Sequence, residues 1–209
     1  MNDILHSPWQ VLKSSEIFSA DPWLTLSVQQ VRVPDGRVID DFYQLALPDF
    51  IVVFAETASG EVIMIRQYKH GARRTSLTLP GGLIEKSEDP LDAAKRELLE
   101  ETGYQADSWR SLGSYVVNGN LGCGHGHFFM AAGARRVREP ESGDLETMEI
   151  ELLTRGRLAE ALRNGEVLLL NHAAAIAMAM TAEGADAKTQ PTAGATSPES
   201  PSSKSLSRR

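Results

Sequence analysis

The stretch GLIEKSEDPLDAAKRELLEETGY, residues 82–104, decides how the rest of this chain is read. Its middle reads as a helix. Asp89 can cap the first turn, Pro90 stands at the favoured first position, and Gly103 is placed to end it. Glu97, Glu100 and Glu101 fall at i, i+3 and i+4, so their side chains leave one face together. Like charges on one face repel, and near a helix C-terminus they also oppose the macrodipole. A hard divalent cation would remove the conflict. Mg²⁺ takes carboxylate oxygens at roughly 2.0–2.1 Å and keeps waters that phosphate oxygens can replace. Two such ions could clamp both sides of a P–O bond. Taken alone, the triplet is also what a solvated acidic helix face looks like.

Working outward, residues 77–79 read as a strand running into the breaker cluster Pro80-Gly81-Gly82. Residues 51–55 and 62–68 read as buried strands with a turn at Ser59-Gly60. Before them, residues 24–33 and 38–47 flank a turn at Pro34-Asp35-Gly36-Arg37, a hairpin signature. After the central helix come strands at 112–117, 127–131 and 149–153, then helices at 155–164 and 171–181, with a Gly-rich loop at 118–127. Strands and helices alternate irregularly, which favours an α/β sandwich with a mixed sheet over a doubly wound parallel sheet. Three regions follow: an N-terminal β-hairpin subdomain at 1–47, the main domain at 48–182, and a tail at 183–209. The tail holds Pro191, Pro198, Pro201 and six serines after Thr196, with almost nothing apolar to bury, so disorder is expected there.

Composition narrows the function classes. The 209 residues, 42% of them apolar, suffice for one domain with a small appendage. A net charge of −7 makes non-specific nucleic-acid binding a poor expectation. It does not exclude phosphorylated small molecules, since bound cations can bridge two anions. Cys123 is the single cysteine, so no intramolecular disulfide can form, which suits a reducing cytoplasm. The first ten residues lack a basic region followed by an apolar run, and residues 173–182 are too short to span a bilayer, so neither secretion nor a membrane is expected.

Gly82, Glu88, Arg96, Glu97, Glu100, Glu101 and Gly103 together fit G-x5-E-x7-R-E-U-x-E-E-x-G-U, where U is a bulky aliphatic residue. Leu98 satisfies the first U, and Tyr104 at the last is a mild departure. A chance match in a chain of this length is on the order of one in a million. The pattern is the signature of the Nudix hydrolases, and the sequence resembles that family over residues 47–180. The resemblance implies an α/β/α sandwich, and it implies roles. Glu97, Glu100 and Glu101 would be metal ligands, with the carbonyl of Gly81 a further one. Arg96 would hold a box carboxylate in place, and Glu88 would orient the box loop or assist the metal shell. Mg²⁺ would be the cofactor, with Mn²⁺ as substitute.

The flanks, Arg66-Gln67-Tyr68-Lys69-His70-Gly71 ahead of Leu79-Pro80-Gly81-Gly82, resemble the ADP-ribose and nucleotide-sugar pyrophosphatase branch. That resemblance implies a homodimer whose N-terminal hairpin stacks the base, with Trp23, Phe42 and Tyr43 as candidates. Lys69 and Arg66 are candidates for phosphate contact. A proline common shortly after the box in that branch is missing here; the Gly-rich loop instead offers Asn118 and His125 to a sugar or phosphate. The same resemblance implies that an acidic loop after the box supplies the general base and a further metal carboxylate; segment 139–146 is the candidate here, with Glu146 first as metal ligand or base and Asp144 second. The expected reaction is Mg²⁺-dependent hydrolysis of a nucleoside diphosphate sugar to a nucleoside monophosphate and a sugar phosphate. The alternatives are another nucleoside diphosphate derivative, such as a dinucleoside polyphosphate or modified nucleotide, and a non-catalytic nucleotide-sugar-binding regulator.

Overall fold

One long strand organises the sheet. In the computed structural model, which describes residues 7–141, 143 and 147–182, strand β9 (Gly122–Arg136) has partners along both edges. On one edge β8 (Ser108–Asn118) runs antiparallel to it. On the other, β4 (Phe50–Thr57) runs parallel from Phe50↔Gly126 onward, and β3 (Val38–Ala46) meets it at Leu45↔Gly122. β2 (Leu24–Arg32) and β1 (Gln10–Ala20) extend antiparallel from β3. Beyond β4 lie β5 (Val62–Lys69) and β10 (Glu149–Leu153); β6 (Arg74–Thr78) also pairs with β5, and the short β7 (Tyr104–Gln105) with the end of β9. Parallel and antiparallel pairings are therefore mixed, as expected.

Two details correct the sequence reading. The N-terminal hairpin is present as β2 and β3, and an unforeseen β1 extends it to a three-stranded meander. Lys13, Ser14, Ser15 and Glu16 interrupt the apolar pattern of β1, and bulges fall after Val11 and after Glu16, so the strand has no clean period of two. The Gly-rich loop at 118–127 is mostly strand, with residues 119–121 making the turn. Its glycines answer a packing need. A β-carbon at Gly124 (φ +72°) would lie 2.7 Å from the Leu47 carbonyl oxygen, and one at Gly126 would lie 2.7 Å from the Phe50 ring.

Two apolar layers flank the sheet, and the alternation of β4 divides them. Val52 and Phe54 face a cluster with Leu158 and Ala161 of α2 (Arg155–Arg163) and Ala175, Ile176 and Ala179 of α3 (Leu170–Thr181). Ile51, Val53 and Ala55 face Ala93, Ala94 and Leu98 of α1 (Pro90–Thr102). Burial on both faces is why residues 51–55 read as an unbroken apolar run. The caps of α1 are those expected. Asp89 accepts the Leu91 N–H at 2.9 Å, and Gly103 takes φ +75° with its N–H on the Leu99 carbonyl.

Candidate active site

The segment after β6 crosses from one half of the sheet to the other and delivers Gly81 and Gly82 to α1. Its pairing with β4 fixes which way each peptide points. Val53 N–H donates to the Pro80 carbonyl and Ile51 N–H to the Gly82 carbonyl, each at 2.9 Å. Alternation then turns the N–H and C=O of Gly81 away from β4. The Gly81 N–H donates to Glu101 Oε2 at 2.8 Å, so the Gly81 carbonyl is on the side of that carboxylate. Gly82 lies against the next acid: a β-carbon there would sit 2.3 Å from Glu97 Oε1. At Gly81 the obstacle is backbone, the Ile51 carbonyl oxygen at 2.4 Å.

Arg96 ties the loop to the helix. Its guanidinium donates to Glu88 through Nε (2.8 Å) and one terminal nitrogen (2.9 Å), to Glu97 at 2.7 Å, to Glu100 at 3.2 Å and to the Leu83 carbonyl at 3.1 Å. Five donors in a rigid fork suit this arrangement, which one ammonium could not reproduce. The bond from Arg96 holds the Glu88 carboxyl below the usual range, and Glu88 mainly holds the guanidinium above its own. The acidic face thus has an internal counter-charge that the spacing of acids alone did not reveal. Glu101 is buried (5% exposed), while Glu97 and Glu100 are more open.

Among the described residues no three acidic, histidine or cysteine side chains close on a single point: Arg96 engages Glu97 and Glu100, and Glu101 is turned to Gly81. The donor set nevertheless fits a hard divalent cation. It is all oxygen, it flanks one glycine dipeptide, and the space where Gly82 would carry a side chain is given to a carboxylate. The chain leaving β9 returns to this end of α1. Val137 N–H donates to the Gly103 carbonyl at 2.8 Å and Glu141 N–H to the Glu100 carbonyl at 2.7 Å. The acidic segment therefore starts beside Glu100; Asp144 and Glu146 lie outside the described residues.

The other candidates are not all brought together. Phe42 and Asn118 line one cavity of about 430 Å³ with Trp9, Gln29, Gln44 and Asn120, and Trp9 meets Phe42 edge-on at 5.5 Å. Asn118 also shapes its turn by accepting from Asn120 and Leu121. Tyr43 and Trp23 are exposed and do not line this cavity. Arg66 is engaged by Glu151, with Glu166 at 3.5 Å, and these contacts raise its pKa. Lys69 ends β5 and acts electrostatically on His172 of α3. The His125 N–H donates to Asp49 Oδ1 at 2.7 Å, and the His127 ring lies 3.8 Å from the same carboxylate. Sequence reasoning missed Trp9, Asp49 and His172. Each is joined to its neighbours across long sequence separation, and no local pattern marks it.

Comparison with known proteins agrees with this layout. The NUDIX domain matches residues 47–173, and the nucleoside diphosphate sugar hydrolase N-terminal domain matches residues 9–45. The ADP-ribose pyrophosphatase of Bacillus subtilis (strain 168) is 29% identical over 73% of this chain and 83% of its own length. The CMP-5'-(N-acetyl-N-hydroxy-3-aminopropyl)phosphonate hydrolase of Streptomyces rubellomurinus is also 29% identical, over 70% of each chain. A crystal structure of an ADP compounds hydrolase superposes with a TM-score of 0.71 at 16% identity, covering 83% of this chain and 93% of that one, which speaks to the fold.

Proposed function

The chain belongs to the Nudix family of pyrophosphohydrolases, and from that premise we propose that it hydrolyses the pyrophosphate bond of a nucleoside diphosphate sugar of the ADP-ribose kind. The observation that carries this reading is the seating of Gly81 and Gly82 between Glu101 and Glu97, with Arg96 bracing the same carboxylates. Glu97, Glu100, Glu101 and the Gly81 carbonyl would hold Mg²⁺, with Mn²⁺ as substitute. That ion supplies Lewis-acid polarisation of phosphate oxygens and a more acidic water. Arg96 keeps Glu97 and Glu100 oriented and offsets their repulsion. Glu146, or Asp144 in second place, would take the proton from the attacking water; the described chain ahead of them is anchored at α1 by the Glu141 N–H on the Glu100 carbonyl. Glu88 holds Arg96 and receives the Glu85 N–H at 2.9 Å, which keeps the loop closed on the helix.

The cavity between Phe42 and Asn118 supports a place for the base: aromatic rings for stacking and amides for the base edge. Lys69, Arg66, Tyr43, Trp23 and His125 remain proposed contacts of lower rank, since they stand outside that cavity. A second copy of the chain is proposed to cover the exposed apolar side chains of the N-terminal meander, among them Ile17 and Phe18 of β1 and Trp23 of the turn after it. No helix among the described residues is long and apolar enough to cross a membrane, and the single cysteine supports a reducing cytoplasm.

A second reading has its own support. The Streptomyces relative, equally similar, is named as the hydrolase of a CMP-5'-phosphonate, so the group beyond the nucleotide need not be a sugar. The test is a panel of ADP-ribose, other nucleotide sugars, dinucleoside polyphosphates and CMP-5'-phosphonates with Mg²⁺. Monoester release from ADP-ribose is expected, with a loss of ~10³-fold or more in Glu100→Gln. Turnover of none of the panel, or an unaffected Glu100→Gln, overturns the enzyme reading.

A further inference from the structure

A buried hydrogen bond reaches the glycine segment from the opposite face of the sheet. The β5–β6 ladder ends at Ile65↔Thr78, and the pairing with β4 begins only at the Pro80 carbonyl. Leu79 lies between them, 1% exposed, with its N–H beyond the reach of either ladder. A buried N–H without an acceptor carries an uncompensated desolvation cost. His172 of α3, itself 8% exposed, provides the acceptor: its Nδ1 receives the Leu79 N–H at 3.1 Å. The bond requires the tautomer with its proton on Nε2. Burial first, and the charge of Lys69 second, keep the ring neutral and able to accept.

We propose that His172 is a positioning residue for the metal site, holding Leu79 so that the two following glycines meet Glu101 and Glu97. The inference rests on the reading of that site as metal-holding. Leu79 is followed by Pro80, whose ring fixes φ, and then by the peptide whose N–H meets Glu101. Between the end of one ladder and the start of the next, a shift of Leu79 has little to absorb it before Gly81. α3 thereby sets the position of a loop on the far side of the sheet. Groups hydrogen-bonded directly to metal ligands commonly change metal affinity by ~10–100-fold, and His172 acts one step further out through Leu79, so the lower end of that range is expected.

The experiment compares the full chain with His172→Leu, which removes the acceptor at similar volume, and His172→Asn, whose Oδ1 stands near the place of Nδ1. Mn²⁺ binding without substrate and amide exchange over residues 79–82 are the readouts. His172→Leu should weaken Mn²⁺ binding about tenfold and accelerate exchange at 79–82, while His172→Asn stays within about threefold of wild type. Ile176→Ala, a core change on the same helix, controls for general loss of stability and should leave Mn²⁺ affinity near wild type. The proposal fails if His172→Leu binds Mn²⁺ like wild type, or if Ile176→Ala weakens it equally. Should His172→Leu not fold, the wild-type Leu79 amide decides: exchange as fast as at exposed amides overturns the proposal. That arm needs no metal, so a wild type that binds no Mn²⁺ would reject the metal reading and leave the positioning result legible.

Discussion

The carboxylate of Glu97 occupies the place a β-carbon would need at Gly82, 2.3 Å from its Oε1 and 2.4 Å from its Cδ. The obstacle is the far end of a flexible side chain, so the fold can yield there while the site cannot.

Gly82→Ala should therefore separate stability from activity. The new methyl would push the Glu97 carboxylate aside at a cost of about 1–2 kcal/mol, a rotamer change together with a strained or lost bond to Arg96. Activity should drop by ~10²-fold or more, because a displaced ligand is lost to the metal. A urea midpoint near wild type beside a collapsed kcat/KM is the expected pair of measurements; a large loss of both would show that the backbone had moved.

The opposite outcome is expected at Gly81 and Gly103, where backbone is the obstacle. A β-carbon at Gly81 would lie 2.4 Å from the Ile51 carbonyl oxygen, and one at Gly103, at φ +75°, 2.1 Å from that of Arg138. Gly81→Ala and Gly103→Ala should each cost roughly 2–4 kcal/mol, visible as a lower urea midpoint. A wild-type midpoint for either would mean that the approach is looser than described.

Arg96→Lys keeps the charge and loses the fork. The ammonium cannot satisfy Glu88, Glu97, Glu100 and the Leu83 carbonyl together. A loss of about 1–3 kcal/mol is expected, because these groups are mostly shielded from water. Glu88→Gln in the Arg96→Lys background should cost less than in wild type, as partners in one network are not additive. Additive effects would sever Glu88 from Arg96 energetically.

Stability should fall on mild acidification, and His172 sets the window. Burial pushes its pKa down to about 4 from 6.5. Between those values the unfolded chain takes up a proton that the folded chain refuses, so the contribution is complete above pH ~6.5 and is lost as pH falls toward 4. The span corresponds to at most about 3 kcal/mol. Urea midpoints at neutral, mildly acidic and more acidic pH should decline in wild type and decline less in His172→Asn; identical slopes would remove His172 as the cause. Glu88, held low by Arg96, adds a loss of the same sign further into acid.

Much of this was legible because short-range pattern and burial coincide. Ile51 to Ala55 reads as a strand buried on two faces since both faces are covered, and α1 reads from Asp89 to Gly103 since its caps are local. The box residues were legible for the same reason, being confined to one loop and one helix. What the pattern could not show was cross-chain. The bonds from Arg96 to Glu88 and to the Leu83 carbonyl need the loop folded back on the helix, and the bond from Leu79 to His172 needs α3 packed on the sheet beside the end of β6. β1 was lost because an exposed strand with bulges has no hydrophobic period, and residues 122–127 because glycines chosen for close approach look like a loop.

The single registered pair Leu45↔Gly122 between β3 and β9 has a mechanical meaning. It is reinforced by Leu45 N–H on the Leu121 carbonyl at 2.8 Å and Gln44 Nε2 on the Asn120 carbonyl at 2.6 Å. A pull applied at the N-terminus is borne by this stitch and by the bonds within the meander before it reaches β4, whose parallel pairing with β9 runs from Phe50 to Thr57. Under tension the first three strands would unzip one after another, releasing on the order of 120 Å of extended chain while the two-faced core stayed closed.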